Sequence, residues 1–193
     1  MKRRLADDQL SIITGIGLGF TLAIQITTLT ASDLSDIYSQ ITTASRFFAL
    51  TGSYLSIVGL LLIARISWVE NVFGHDRLVT WHRKSMPYSL YFITAHVLLV
   101  ALGYAGVDQV RVGNELWTMI TTYPWMLPAT LGFIFLLLAG ITSYRVFRTS
   151  MSYESWWVIH LYTYLGVALA FMHQILTGSM FISHPLARYY WIS

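Results

Sequence analysis

Four histidines stand in two apolar stretches. "HRKSMPYSLYFITAH", residues 82–96, begins and ends with histidine, fourteen residues apart. "WWVIHLYTYLGVALAFMHQILTG" carries His160 and His173, thirteen apart. Imidazole titrates near neutral pH and ligates metals through either ring nitrogen, so it suits proton relay or metal binding. On a helix, fourteen residues give ~21 Å of rise and ~1400° of rotation, only ~40° short of four turns. His82 and His96 therefore leave one face at two depths.

The elements that position them must be membrane spans. Only 11% of the 193 residues are charged and the mean hydropathy is +0.58, whereas a soluble domain carries about 25% charged residues. Cysteine is absent, which excludes disulfides, iron–sulfur clusters and thiolate sites. The net charge of +3 is small, and nothing points to nucleic acid. Five stretches approach the ~20 apolar residues a bilayer requires, at roughly 10–31, 47–67, 86–107, 125–144 and 156–178. The basic, then apolar, N-terminus is read as a retained first span, because no small-residue cleavage site follows it. A sixth span begins at "ARYYWIS", with Tyr189, Tyr190 and Trp191 as an interfacial aromatic belt. The expected fold is an all-α bundle of five to six transmembrane helices forming a single domain, 1–193.

The cations give the orientation. Lys2, Arg3, Arg4, Arg65, Arg77, Arg83, Lys84, Arg145 and Arg148 fall on one side; Arg46, Arg111 and Arg188 fall on the other. The positive-inside rule puts the first set, and the N-terminus, in the cytoplasm. Loops 31–40 and 107–123 then face out. The third and fifth spans both run outward, so His82 comes level with His160, and His96 with His173. Two facing imidazoles at one level are the axial ligands of a six-coordinate haem. Two such levels ~20 Å apart stack two haems, of b type because no Cys-x-x-Cys-His attachment motif exists. A single histidine would be read as evenly as a satisfied polar residue; four at matched depths favour haem. A histidine proton relay in a transporter is the rival of a different class, and it would be colourless. The thirteen-residue offset is ~1300°, about 140° from a shared face. Local rewinding near Gly166, or haem planes turned relative to each other, would have to absorb it.

This histidine pattern resembles that of the ferric reductase-like transmembrane domain, the core of NADPH oxidases and ferric reductases. "FGHDRLVTWHRK", 73–84, and "SYESWWVIHLYTYLG", 152–166, resemble the approaches to the third and fifth spans in bacterial members. "SRFFALTGSYLSIVGLLLIAR", 45–65, brackets the second span with Arg46 and Arg65. The resemblance implies an oxidoreductase of the bacterial plasma membrane. Electrons would pass from cytoplasmic NAD(P)H through FAD, an inner haem (His82, His160) and an outer haem (His96, His173) to oxygen or ferric iron outside. Oxygen would yield superoxide or hydrogen peroxide. Arg46 is the candidate catalytic cation of the acceptor pocket, stabilising charge as it develops, beside its plainer reading as an interfacial anchor. Arg65, Arg83 and Lys84 are candidates to pair with haem propionates, beside their reading as positive-inside charge alone. Trp81, Trp156 and Trp157 are read as interfacial anchors. His75 is read as a solvated loop residue, and His184 as an outer-loop residue that could touch substrate.

The departure from the resemblance is the missing flavin and nicotinamide module: no G-x-G-x-x-G opens a helix after a strand. His184-Pro185-Leu186 is similar to a flavin-binding His-Pro-Phe motif, but it falls before the sixth span and is read as coincidence. Either the chain is cut short of that module or a cytoplasmic flavin dehydrogenase subunit supplies the electrons. The alternative within the same chemistry is a haem-binding membrane subunit that serves a separate partner, as in the methionine sulfoxide reductase system.

Overall fold

The computed structural model describes residues 2–192, with side chains from Asp7 onward. Among these residues the chain is helical and has no strand. It begins with α1 (Lys2–Thr27), a 3₁₀ turn (Ala31–Leu34), α2 (Ile37–Ile63), α3 (Ser67–Phe73), α4 (His75–Val107) and α5 (Val112–Thr122). It continues with α6 (Met126–Ser143), α7 (Arg145–Thr149), α8 (Tyr153–Thr177), α9 (Ser179–Ser183) and α10 (Pro185–Ile192). Five of these, α1, α2, α4, α6 and α8, are long and apolar enough to cross a membrane. With no water in hydrocarbon to satisfy backbone groups, an all-helical span is one of the two forms a bilayer allows. The chain is an all-α integral membrane protein.

The helix ends differ from the apolar stretches. α2 starts at Ile37, ten residues before the second apolar run, because Asp36 caps it. The Asp36 carboxylate accepts from the Ser39 hydroxyl at 2.6 Å, the Tyr38 amide at 2.9 Å and the Ser39 amide at 3.1 Å. These bonds, the Ser39 hydroxyl foremost, hold the carboxyl below its usual range. Residues 37–40 are thus helix rather than loop. α4 likewise starts at His75, not at 86. Helical hydrogen bonds need no apolar side chains, so the helix continues through Arg77, Arg83 and Lys84 beyond the apolar run. It also continues through Pro87, which removes one donor to the Arg83 carbonyl. Within the expected outer loop 107–123, Val112–Thr122 forms α5, which buries Glu115 and Met119 and exposes Trp117.

The chain divides into two compact units. The first comprises the chain up to Leu29 together with Ala44–His96. There, Asp7 of α1 reaches Arg77 (3.5 Å) and the Trp81 indole N–H (3.3 Å) of α4. Tyr54 of α2 donates to the Thr14 carbonyl at 3.0 Å, passing Gly17, where any Cβ would overlap its hydroxyl. Phe48 of α2 stacks on Phe92 of α4, with centroids 5.7 Å apart.

The second unit comprises Thr30–Thr43 and the chain from Val97 on. Its centre is the crossing of α6 and α8 at Gly132 and Gly166. A Cβ on Gly132 would lie 2.8 Å from the Gly166 carbonyl oxygen, and one on Gly166 would lie 2.9 Å from that of Gly132. Backbones this close form the small-residue contact by which membrane helices pack. α8 is one uninterrupted α-helix. Gly166 therefore serves close packing, and the expected rewinding there is absent. Trp191 of α10, expected in an interfacial belt, is instead buried and donates to the Gln174 side-chain oxygen of α8 at 3.0 Å.

Candidate functional site: four histidines with anchored rings

Each of the four histidines is half-buried, and each Nδ1 meets an oxygen within its own unit. In the first unit His82 Nδ1 lies 3.0 Å from the Gly59 carbonyl oxygen, and His96 Nδ1 lies 3.0 Å from that of Ser45. A carbonyl oxygen only accepts, so Nδ1 is the protonated nitrogen in both rings. In the neutral ring Nε2 then keeps its lone pair, the form that ligates a metal.

In the second unit the anchors are hydroxyls. Thr177 Oγ1 donates its one hydrogen to the His173 carbonyl at 2.7 Å. Its 2.9 Å contact with His173 Nδ1 therefore places the proton on the ring nitrogen, again leaving the Nε2 lone pair. His160 Nδ1 lies 3.4 Å from Ser143 Oγ, at the end of α6. The same hydroxyl accepts from the Trp156 indole N–H at 3.1 Å. Trp156 stacks on the His160 ring, with centroids 4.9 Å apart and planes 25° apart. The Arg148 guanidinium lies 4.9 Å from the Trp156 ring centroid, within cation–π range.

Sequence reading missed these supports. Trp156 precedes His160 by four residues, one helical turn, so its stacking was legible from the spacing. Arg148 and Ser143 gave no such signal. The carbonyl anchors gave none through their side chains, since any residue carries a carbonyl.

The remaining candidates are dispersed. Arg46 is half-buried, next to Ser45, whose carbonyl holds His96. Arg65 has a left-handed backbone (φ 56°) and pairs through Nε with Glu70 at 3.1 Å; its side chain is 66% exposed. Arg83 and Lys84 are exposed. His75, expected in a loop, is the first residue of α4, 3.8 Å from Glu70. His184 lies between α9 and α10. Among the described residues, no group of three or more histidine, aspartate or glutamate side chains is placed to hold a bare metal ion.

The donor set fits haem. His82, His96 and His173 each keep the Nε2 lone pair in the neutral ring, the form in which imidazole ligates iron.

Comparison with curated proteins and with solved structures finds no match. The model of the family described as "Ferric reductase like transmembrane component" matches residues 48–171. That range contains His82, His96, His160, Arg65 and Arg83, and stops two residues short of both Arg46 and His173. With more than half of its length matched, this chain of anchored intramembrane histidines belongs to the ferric reductase-like transmembrane family.

Proposed function

We propose that the chain carries electrons across a bacterial plasma membrane through two b-type haems. His82 and His160 would ligate the inner one, His96 and His173 the outer. The family assignment supports transmembrane electron transfer of oxidoreductase type in general. The observation that carries the finer reading is the anchored Nδ1 on the four rings. Such a bond fixes ring orientation and, where Nδ1 is the donor, raises the basicity of Nε2; four rings held this way on two spans support ligation over four separate structural roles.

When bound, haem supplies reversible one-electron carriage; the protein supplies binding, orientation and charge. The α2 carbonyls hold two imidazoles, and Thr177 and the Ser143–Trp156 pair hold the other two. An imidazole on each face would leave no open iron position, so oxygen or ferric iron would accept its electron without binding the haem iron. Arg46, beside the His96 anchor, stabilises negative charge that develops on it. Arg83 and Arg65 would be the cations available to haem propionates. Arg65 can exchange Glu70 for one because an exposed ion pair contributes only about 0–1 kcal/mol. FAD and NAD(P)H belong to a cytoplasmic module or partner.

Pyridine haemochrome quantification against protein mass tests the cofactor reading. Two haems per chain are expected; a ratio near zero, or near one in fully loaded protein, sinks it.

The topology proposed with this function has the N-terminus in the cytoplasm. It rests on the nine-to-three division of the cations. The cysteine-free chain allows a direct check with Ala31→Cys and Ser150→Cys, both at exposed positions. In spheroplasts an impermeant maleimide is expected to label position 31 alone. Labelling of position 150 from outside would exchange the inner and outer assignments.

A further inference from the structure

The two histidine anchors on α2 are not isolated contacts. His96 Nδ1 meets the Ser45 carbonyl at 3.0 Å, Ser89 Oγ donates to the Gly52 carbonyl at 2.7 Å, and His82 Nδ1 meets the Gly59 carbonyl at 3.0 Å. The acceptors are seven residues apart on α2 and the donors seven apart on α4, running in opposite senses. The pair is therefore an antiparallel ladder of three polar rungs in heptad register. Two helices keep one seam over that interval only if they wind about each other at 3.5 residues per turn. This removes the ~40° by which a straight helix misses four turns over fourteen residues, so both rings face the same seam.

The middle rung has a particular task. Pro87 lies between the two histidines and deprives α4 of one hydrogen bond. Part of the rigidity that would relate the aim of one ring to the other is missing there. Ser89, two residues on, ties α4 back to α2. Its single hydrogen goes to Gly52, so the buried 2.7 Å contact with Ser56 Oγ is a bond that Ser56 donates. Gly52 leaves no slack: a Cβ there would lie 2.7 Å from Ile93 Cγ1 and 3.0 Å from the Ile93 amide nitrogen.

We infer that Ser89 is a positioning residue for both α4 histidines: through the Ser89–Gly52 rung it sets the helix register that aims His82 and His96 together. This rests on the haem reading for its spectroscopic consequence, but not for the register itself. Loosening the rung lengthens both Nδ1–H···O=C bonds. The imidazoles become less basic, the oxidised iron is less stabilised, and both haem potentials rise.

The test uses the full chain in membranes or detergent, with three variants. Ser89→Ala removes the rung. Gly52→Ala forces the helices apart at the same level while improving local helix propensity. Ser56→Ala leaves the rung in place. Redox titration and low-spin electron paramagnetic resonance report the haems. A Phe48→Cys/Phe92→Cys pair, replacing rings that stack across the same seam, reports register without haem. Ser89→Ala and Gly52→Ala are each expected to raise both potentials, to shift both low-spin signals and to lower the cross-linking yield severalfold. Ser56→Ala is expected to leave all three readouts near the parent. The inference is overturned if Ser89→Ala moves neither haem or only one, or if Ser56→Ala moves them as far. If Ser89→Ala does not accumulate, Gly52→Ala carries the same criteria. If the parent binds no haem, the haem reading has failed, and an unchanged cross-linking yield then overturns the register claim independently.

Discussion

Replacing His173 by alanine is expected to remove one haem and leave the other, halving the haem content of the purified chain. His160→Ala should also halve it, but by deleting the other spectral component. In the proposed arrangement each level would depend on its own pair of imidazoles, and a haem deprived of one axial nitrogen would lose half of its axial ligation. Spectra recorded during redox titration separate the two components. Loss of the same component in both variants would defeat the two-level arrangement, and unchanged haem content would show that these residues are not ligands. His173 carries the sharper test. It lies beyond the range matched by the family, and its ring is anchored by Thr177 of its own helix rather than by a neighbour. It also sits thirteen residues from His160 on a regular helix, about 140° around from it. The two rings therefore leave α8 in different directions, and two haems ligated from this helix would have to be turned relative to each other.

Gly132→Leu is expected to do more damage than any histidine variant, because it acts on structure rather than on one ligand. The first carbon of the new side chain would lie 2.8 Å from the Gly166 carbonyl oxygen and 3.2 Å from Leu169 Cβ. A backbone oxygen cannot swing aside as a side-chain tip does, so α6 and α8 must separate. Overpacking of this kind costs about 1–3 kcal/mol, occasionally more. Separation also forfeits dispersion contacts that no hydrophobic driving force restores in lipid. The thermal midpoint in detergent should fall, and both haem components should weaken together, since α8 carries a proposed ligand of each. Gly132→Ala should show the same change in smaller measure. A leucine variant with the parent's midpoint would mean that the glycine contact does not hold the two helices.

The spans were legible because the bilayer selects on a bulk property. Five apolar runs of about the right length became five helices, with the starts of α2 and α4 displaced by ten and eleven residues. Those displacements have local causes that average hydropathy does not register: the Asp36 cap starts α2 early, and charged residues at Arg77, Arg83 and Lys84 remain helical in α4. α3 and α5 were missed for the opposite reason. Each is too short to span, so no twenty-residue window reveals it. The histidine spacing was readable as a two-level pattern, and the fourteen-residue interval acquires its cause in the ladder with α2. Rewinding near Gly166 was one of two ways to absorb the thirteen-residue offset, and α8 is regular there. Gly166 is a place where another helix comes close, and a single sequence does not distinguish those two uses of a missing Cβ.

The ladder has a consequence for how this chain can vary. His82 and His96 are held by oxygens that belong to the main chain, and no substitution at position 59 or 45 can delete such an acceptor. An exchange alters only the bulk beside it. At Gly59 an added methyl would meet the Sδ and Cε of Met86, the flexible end of that side chain, which must turn aside to admit it. The restriction on these positions therefore comes from what surrounds the side chain, the neighbouring Met86 at Gly59 and full burial at Ser45, and not from the hydrogen bond itself. A mutational scan would record the partners of two candidate metal ligands only through their side-chain surroundings, the signature ordinarily assigned to packing.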